Sequence, residues 1–224
     1  MKSIAGRLTV REETVDDALA AVAFLRETAG IDARRIVVVG HSLGGMLVPR
    51  IGMRDKGIAG FVIMAGATRP LEDLIVEQYG YIFSLDGSVS EEERTTLEKS
   101  KADAARVKRA SELADGEAPF GVAKAYWLDL NGYDPAEAAK SLAQPLLILQ
   151  GGRDYQVTMK DFDRWKAALG SRPGVELKLY PDLNHLFIAG TGRSEPNEYS
   201  IPGFVAEPVI ADIVRWIAGL SGKP

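Results

Sequence analysis

The chain has 224 residues, 46% of them apolar, and a formal net charge of −4. This length and composition suit a single soluble domain, with an inserted subdomain at most. The weak negative charge gives no reason to expect nucleic acid or an anionic membrane surface as a partner. The absence of cysteine excludes disulfides and thiolate metal sites.

The beginning of the chain, Met1 to Arg7, has no apolar run of the kind found in a signal peptide. No apolar segment elsewhere approaches the length needed to cross a membrane. We therefore expect a soluble, cytoplasmic protein without a membrane partner.

The first predicted helix begins at a capping box. Thr9 is the expected N-cap and Glu12 the residue that reaches back to it. Apolar residues at helical spacing continue this helix to about Thr28, and Gly30 is a typical stop.

A run of four apolar, β-branched residues, Ile36 to Val39, predicts a strand that is buried on both faces, as in a parallel sheet. It leads directly into Gly40-His41-Ser42-Leu43-Gly44, which fits the G-x-S-x-G nucleophile elbow. Such a motif also occurs by chance in loops, but here a predicted strand precedes it and a predicted helix, 46–56, follows it. We therefore interpret Ser42 as a nucleophile. We expect Gly40 and Gly44 to be glycines because a side chain at either position would collide with a neighbouring element.

The alternation of helix and strand continues with a second buried-type strand over 58–66, which indicates an α/β fold with a parallel sheet. Between about residues 70 and 140 the signals are helical only. We interpret residues 67–140 as a helical cap inserted into an α/β core of residues 1–66 and 141–224. Tyr126 and Trp127 in this cap either line an acyl pocket or form its core, and the core is the favoured interpretation.

Two further strands follow the predicted cap, over 145–151 and 175–180, and a helix over 159–169 separates them. A closing amphipathic helix is predicted over 207–220. The Gly- and Pro-containing stretch 190–203 is expected to be a surface loop.

Serine is a poor nucleophile unless a base removes its proton, and the base needs a partner that fixes its tautomer. The chain has two histidines. His41 lies beside Ser42 with its side chain expected to point away, so His185 is the candidate base. Asp154 is the candidate orienting acid, since it directly follows the third strand, and Asp182 is the second candidate. All three members of the triad follow strands, so they should meet at the carboxyl edge of the sheet.

Each of these residues also has a simpler interpretation. His185 alone could be a surface histidine, and Asp154 alone could be a helix cap or an ion-pair partner of Arg153. The order Ser42, Asp154, His185, with each residue after a strand, favours the catalytic interpretation.

The chain resembles the α/β-hydrolase superfamily. The resemblance rests on the elbow at Ser42 and on two further segments, Gly151-Gly152-Arg153-Asp154-Tyr155-Gln156-Val157 and Leu183-Asn184-His185. The likeness is greatest to bacterial esterases and lipases of the dienelactone-hydrolase and prolyl-oligopeptidase-like branch. The resemblance implies hydrolysis of small carboxylic esters with short or medium acyl chains, through an acyl-enzyme on Ser42. It also implies that the Leu43 N–H belongs to the oxyanion hole, and that no metal or organic cofactor takes part.

The chain departs from the family pattern before the elbow strand, where about 35 residues encode one helix instead of several strands. The resemblance therefore implies a truncated fold of about four strands without the usual second oxyanion donor. Loss of one such donor lowers the rate by ~10²–10³. The strand Ile36-Val37-Val38-Val39 would also be a bare apolar edge, so we expect a homo-oligomer, such as a dimer, that covers it. Coverage by the N-terminal segment is the alternative.

Other functions remain open at this point. A peptidase or thioesterase would use the same chemistry. A catalytically impaired remnant that acts as an oligomeric binding module is the alternative from another class of function.

Overall fold

The protein is described by a computed structural model over residues 8–220, which fall into two compact units. The first unit contains residues 15–68 and 134–220, and the second contains residues 8–14 and 69–133. The expectation of no signal peptide concerns residues 1–7, which lie outside this range. Within 8–220, no helix combines the length and the apolar character needed to cross a bilayer.

The first unit contains a sheet of four parallel strands in the order β1-β2-β3-β4. The predicted α/β fold with a mostly parallel four-stranded sheet is therefore confirmed. Because all four strands are parallel, the loops that follow them lie at one edge of the sheet. The strands are β1 (Val37–His41), β2 (Gly60–Met64), β3 (Leu146–Gly151) and β4 (Val175–Tyr180).

The helices begin and end close to the positions that the sequence predicts. Capping explains the agreement at the first residues. Glu12 accepts from the backbone N–H of Thr9, one half of the expected box, ahead of a π-helical turn, Arg11–Val15, and Ser90 and Glu93 form a complete box at the start of another helix. The α-helices of the described chain are α1 (Asp16–Glu27), α2 (Leu43–Arg54), α3 (Leu71–Phe83), α4 (Glu91–Val107), α5 (Lys124–Leu130), α6 (Pro135–Ala139), α7 (Met159–Leu169) and α8 (Glu207–Gly219).

Strand β1 is less buried than its apolar sequence predicts. Ile36, just before the strand, is buried, but Val37 and Val38 are half-buried and Val39 is 50% exposed. The expectation of a strand buried on both faces is therefore wrong. The reason is its position, because within residues 8–220 β1 pairs only with β2 and forms one edge of the sheet. Within residues 8–220 β1 is thus an edge strand, as expected, although Ile36 is buried and not part of an exposed edge.

The core of the first unit lies around β2 and β3, whose residues are almost all buried. Helix α7 is tied to the loop after β2 by polar contacts. The buried Asp161 carboxylate accepts hydrogen bonds from the backbone N–H and the hydroxyl of Thr68, at 2.9 and 3.0 Å. The Trp165 indole donates to the Gly66 carbonyl at 2.7 Å. These contacts fix the β2 loop close to the sheet edge.

The second unit is helical and contains α3, α4 and α5. Trp127 is buried at 1% exposure and donates its indole N–H to the Pro119 carbonyl, which supports the interpretation as a core residue. Tyr126 donates to the carboxylate of Glu13 at 2.6 Å. Such contacts join residues 8–14 to this helical unit, whereas the sequence assigns them to the core.

Candidate active site

Ser42 occupies a strained turn between β1 and α2. Its backbone has φ 55° and ψ −118°, a combination that non-glycine residues rarely adopt and that is found mostly at functional sites. Two backbone hydrogen bonds hold the turn: Ser42 N–H donates to the Met64 carbonyl at 2.9 Å, and Met46 N–H donates to the Ser42 carbonyl at 3.0 Å. This is the sharp strand-to-helix turn that a nucleophile elbow requires.

The glycines around Ser42 have unequal steric roles. A Cβ on Gly40 would lie 2.5 Å from the Gly44 carbonyl oxygen, so position 40 must be bare. A Cβ on Gly44 would meet nothing within 4 Å, so the predicted collision at this position is wrong. The tight position on α2 is Gly45, where a Cβ would lie 2.9 Å from the Cα of Gly66. The close approach of α2 to the β2 loop therefore depends on Gly45 and Gly66.

We expect Gly45→Ala to destabilise the protein by about 1–3 kcal/mol, because backbone atoms of another segment must move to accept the methyl group. Gly44→Ala is the matched control in the same helical turn. It should be neutral or stabilising by about 1 kcal/mol, since alanine favours a helix over glycine. Denaturant unfolding of both variants measures the difference, and equal stabilities would contradict the steric assignment.

The Asp154 carboxylate lies just after β3 and accepts four hydrogen bonds. One oxygen, Oδ1, accepts from the backbone N–H groups of Gln156 and Val157 at 2.8 and 3.0 Å. The other, Oδ2, accepts from the Gln150 amide at 3.3 Å and lies 2.7 Å from His185 Nδ1. Three of these hydrogen bonds do not involve His185, so they fix the orientation of the Asp154 carboxylate independently of the imidazole.

Asp182, the second candidate acid, is exposed. The geometry favours Asp154 over Asp182 as the partner of His185. The alternative interpretation of Asp154, as the ion-pair partner of Arg153, is not supported, because the Arg153 guanidinium pairs with Glu198.

His185 lies in the loop after β4 and is buried at 4% exposure. Because an ionised carboxylate can only accept a hydrogen bond, His185 Nδ1 must carry the proton that it shares with Asp154. The opposite nitrogen, Nε2, is then the basic one. This tautomer is the one that a general base needs.

His41 joins the Ser42 turn to the His185 loop, a contact that the sequence does not reveal. Its Nε2 donates to the His185 carbonyl at 2.9 Å, and the two imidazole centroids lie 4.6 Å apart. Partial removal from water lowers the pKa of His41, which favours a neutral ring beside His185.

Within residues 8–220 no hydrogen bond joins the Ser42 hydroxyl to His185. Catalytic hydrogen bonds are often long without substrate and tighten when it binds.

Glycines also bring the loops that carry Asp154 and His185 into direct contact. A Cβ on Gly151 would lie 2.5 Å from the Leu183 carbonyl oxygen, and one on Gly152 would lie 2.6 Å from the Pro181 carbonyl oxygen. The two loops can therefore touch through their backbones only if both positions lack side chains.

A backbone donor follows Ser42, and an apolar cavity borders the preceding residue, His41. Leu43 is the first residue of α2, so its N–H has no acceptor within the helix and is available to a ligand. A cavity of about 400 Å³ borders His41 and is otherwise lined mostly by apolar residues, namely Met64, Leu186, Phe187, Ile188, Gly203 and Val205. In the described part of the chain, no three His, Cys, Asp or Glu side chains are arranged to hold a metal ion.

Comparison with known proteins shows the family to which the chain belongs. Residues 5–200 match the profile of the Alpha/beta hydrolase family. The chain is 43% identical over 211 residues to Esterase EstD from Thermotoga maritima, an alignment that covers 94% of this chain and 48% of the relative. The chain thus spans about half the length of the curated relative that it matches.

Solved structures share the fold at low identity. A monoacylglycerol lipase from Paleococcus ferrophilus aligns with a TM-score of 0.54 at 17% identity, over 96% of this chain and 77% of that one. A protein described as a dienelactone hydrolase from Klebsiella pneumoniae aligns with a TM-score of 0.52 at 15% identity, over 93% of this chain and 60% of that one.

Proposed function

Given that this chain belongs to the alpha/beta hydrolase family, we propose that it hydrolyses carboxylic esters, with Ser42, His185 and Asp154 as its catalytic triad. The observation that carries the proposal is the 2.7 Å hydrogen bond between His185 Nδ1 and Asp154. It lies at the same edge of the sheet as the strained Ser42 turn. The name of the Thermotoga maritima relative, an esterase, supports this choice within the family.

In the first half of the proposed reaction, the Ser42 hydroxyl oxygen attacks the carbonyl carbon of the ester. His185 Nε2 takes the hydroxyl proton as the new C–O bond forms. Asp154 stabilises the resulting imidazolium through Nδ1. The imidazolium then returns the proton to the alcohol oxygen as the bond between that oxygen and the carbonyl carbon breaks. The products are the free alcohol and an acyl group on Ser42.

In the second half, water replaces the alcohol. His185 Nε2 takes one proton from the attacking water, and the same proton passes to the Ser42 oxygen when the acyl–serine bond breaks. The carboxylic acid leaves and the free enzyme is restored. The backbone N–H of Leu43 donates to the oxyanion in both halves. If no second N–H joins that of Leu43, we expect the rate to be lower by ~10²–10³.

The substrate that we propose is an ester of a short or medium acyl chain. The apolar cavity that borders His41, the residue before Ser42, supports an uncharged acyl group of modest size, since its volume of about 400 Å³ is in the range of small-ligand sites.

The test is the hydrolysis of p-nitrophenyl acetate and p-nitrophenyl butyrate by the purified protein, with Ser42→Ala as the control. We expect turnover by the wild type that the control lacks. Equal rates in the two proteins would end the esterase proposal.

We also propose that a second copy of the chain covers the β1 edge. The exposed Val39 supports this, because an unpaired apolar strand edge invites pairing with another chain. This edge is also the feature that favours the alternative function, an oligomeric binding module with little catalysis. Size-exclusion chromatography with light scattering should give a dimer, and a clean monomer would contradict the proposal.

A further inference from the structure

A polar cluster lies beside the candidate triad, and Glu198, whose side chain is 23% exposed, is its centre. One carboxylate oxygen of Glu198, Oε2, accepts from the Asn184 amide at 2.9 Å and from the Ser194 hydroxyl at 3.0 Å. Both terminal nitrogens of the Arg153 guanidinium also donate to this carboxylate. Bidentate pairs of this kind are among the strongest and most directional hydrogen bonds in proteins.

Two partners of Glu198 are sequence neighbours of the candidate acid and base. Arg153 directly precedes Asp154 in the loop after β3, and Asn184 directly precedes His185 in the loop after β4. Glu198 comes from a third segment, the 3₁₀ turn Pro196–Ser200. One carboxylate therefore ties together the two loops whose side chains must meet.

Asn184 transmits this contact to the turn that carries His185. It is buried at 1% exposure, and its side-chain oxygen accepts from the backbone N–H groups of Leu186 and Ile188 at 3.0 and 3.1 Å. Its amide nitrogen is the group that donates to Glu198. The Asn184 side chain therefore links the backbone around His185 to the carboxylate.

Arg153 anchors the other side of the cluster. Its side chain is 7% exposed, and its guanidinium donates to the carbonyls of Gly192 and Thr191 at 2.9 and 3.2 Å. A Cβ on Gly190 would overlap this guanidinium, so the loop closes tightly around it. Burial acts to raise the pKa of Glu198, but the hydrogen bonds from Asn184, Arg153 and Ser194 outweigh it and lower the pKa. Glu198 is thus held as the anion that its partners need.

From these contacts we infer that Glu198 is a positioning residue for the hydrolase: it aligns Asp154 with His185 by holding Arg153 and Asn184. The inference rests on the proposed function for its effect on rate. Loss of Glu198 should loosen the Asp154–His185 hydrogen bond, although Glu198 itself touches neither residue of that pair nor the substrate. A displacement of about 1 Å in such a pair lowers the rate by up to ~100-fold.

The first measurement is steady-state kinetics of Glu198→Ala with p-nitrophenyl butyrate. We expect kcat to fall by about 10- to 100-fold with KM little changed, because alignment acts on the chemical step. Glu195→Ala is the matched control, since Glu195 is exposed and lies just before the same turn. It should keep the wild-type kcat. Glu198→Gln keeps an acceptor oxygen but loses the charge, so its kcat should fall less.

The second measurement does not depend on turnover. The imidazole N–H proton that His185 shares with Asp154 should give a low-field resonance in the proton NMR spectrum. Assignment is simple because the chain has two histidines, and His41→Gln removes the other. We expect this resonance to broaden or disappear in Glu198→Ala and to persist in Glu195→Ala.

A folded Glu198→Ala variant with the wild-type kcat and an unchanged resonance would overturn the inference, even if its thermal midpoint is lower. The inference would also be overturned if the fall in kcat is no larger than the fraction of unfolded protein explains and the resonance is intact. If Glu198→Ala does not fold, the same criteria apply to Glu198→Gln. If the wild type has no Ser42-dependent turnover, the proposed function fails, and the resonance alone decides the positioning role.

Discussion

Replacing His185 by glutamine is expected to lower kcat/KM for p-nitrophenyl butyrate by ~10⁴-fold or more, the usual effect of removing the base of a serine triad. The structure gives the reason. His185 Nδ1 is committed to Asp154, so Nε2 is the only basic nitrogen that its ring offers to the Ser42 hydroxyl. A glutamine at this position has no group that accepts a proton near neutral pH.

His41→Gln is the matched control, because it removes the other histidine of the chain. His41 contributes a neutral hydrogen bond to the His185 carbonyl, worth about 1 kcal/mol, so we expect a loss of about tenfold at most. A greater loss in His41→Gln than in His185→Gln would exchange the roles of the two histidines and contradict the proposed mechanism.

Asp154→Asn is expected to lower kcat by ~10⁴-fold with little effect on KM. In the wild type, Oδ1 is fixed by the backbone N–H groups of Gln156 and Val157. An asparagine would keep its carbonyl oxygen there and turn its NH₂ group towards His185 Nδ1. That nitrogen would then have to accept, which moves the imidazole proton to Nε2 and removes the base.

Asp182→Asn tests the second candidate acid with the same chemical change. Asp182 is exposed, so we expect the kcat of this variant to stay within about twofold of the wild type, as for most surface changes. The assignment of Asp154 fails if the two variants lose activity equally, or if only Asp182→Asn does.

The sequence predicts the elements of this protein well where the signals are local. The residues of α7 and β4 coincide with the predicted ranges, because capping boxes, turn residues and apolar periodicity set the ends of these elements. Local signals also predict that Asp154 and His185 lie at the carboxyl edge of the sheet, because each residue follows a strand and the strands are parallel.

The features that the sequence misses depend on contacts between distant segments. Arg153 and Glu198 are 45 residues apart, and nothing in the composition of the stretch 190–203 distinguishes it from an ordinary surface loop. The steric roles of Gly44 and Gly45 cannot be separated by the motif alone, since the atoms that crowd Gly45 belong to the β2 loop. The exposure of Val39 likewise follows from the strand order, which periodicity does not reveal.

Contacts between distant segments also place residues 8–14 in the helical unit. Glu13 contacts Tyr126, and Arg11 N–H donates to the Asp129 carboxylate at 3.0 Å, both across more than one hundred residues. A capping box predicts the helix that follows Thr9, but it carries no information about the unit to which the first turn belongs.

The most direct test of the central claim is covalent labelling with a fluorophosphonate, followed by mass spectrometry of the modified peptide. If the imidazole of residue 185 activates the hydroxyl at the strained turn, the label is found on Ser42 of the wild type and is lost in His185→Gln. A wild-type protein that takes no label, or that carries it on another residue, would contradict the account.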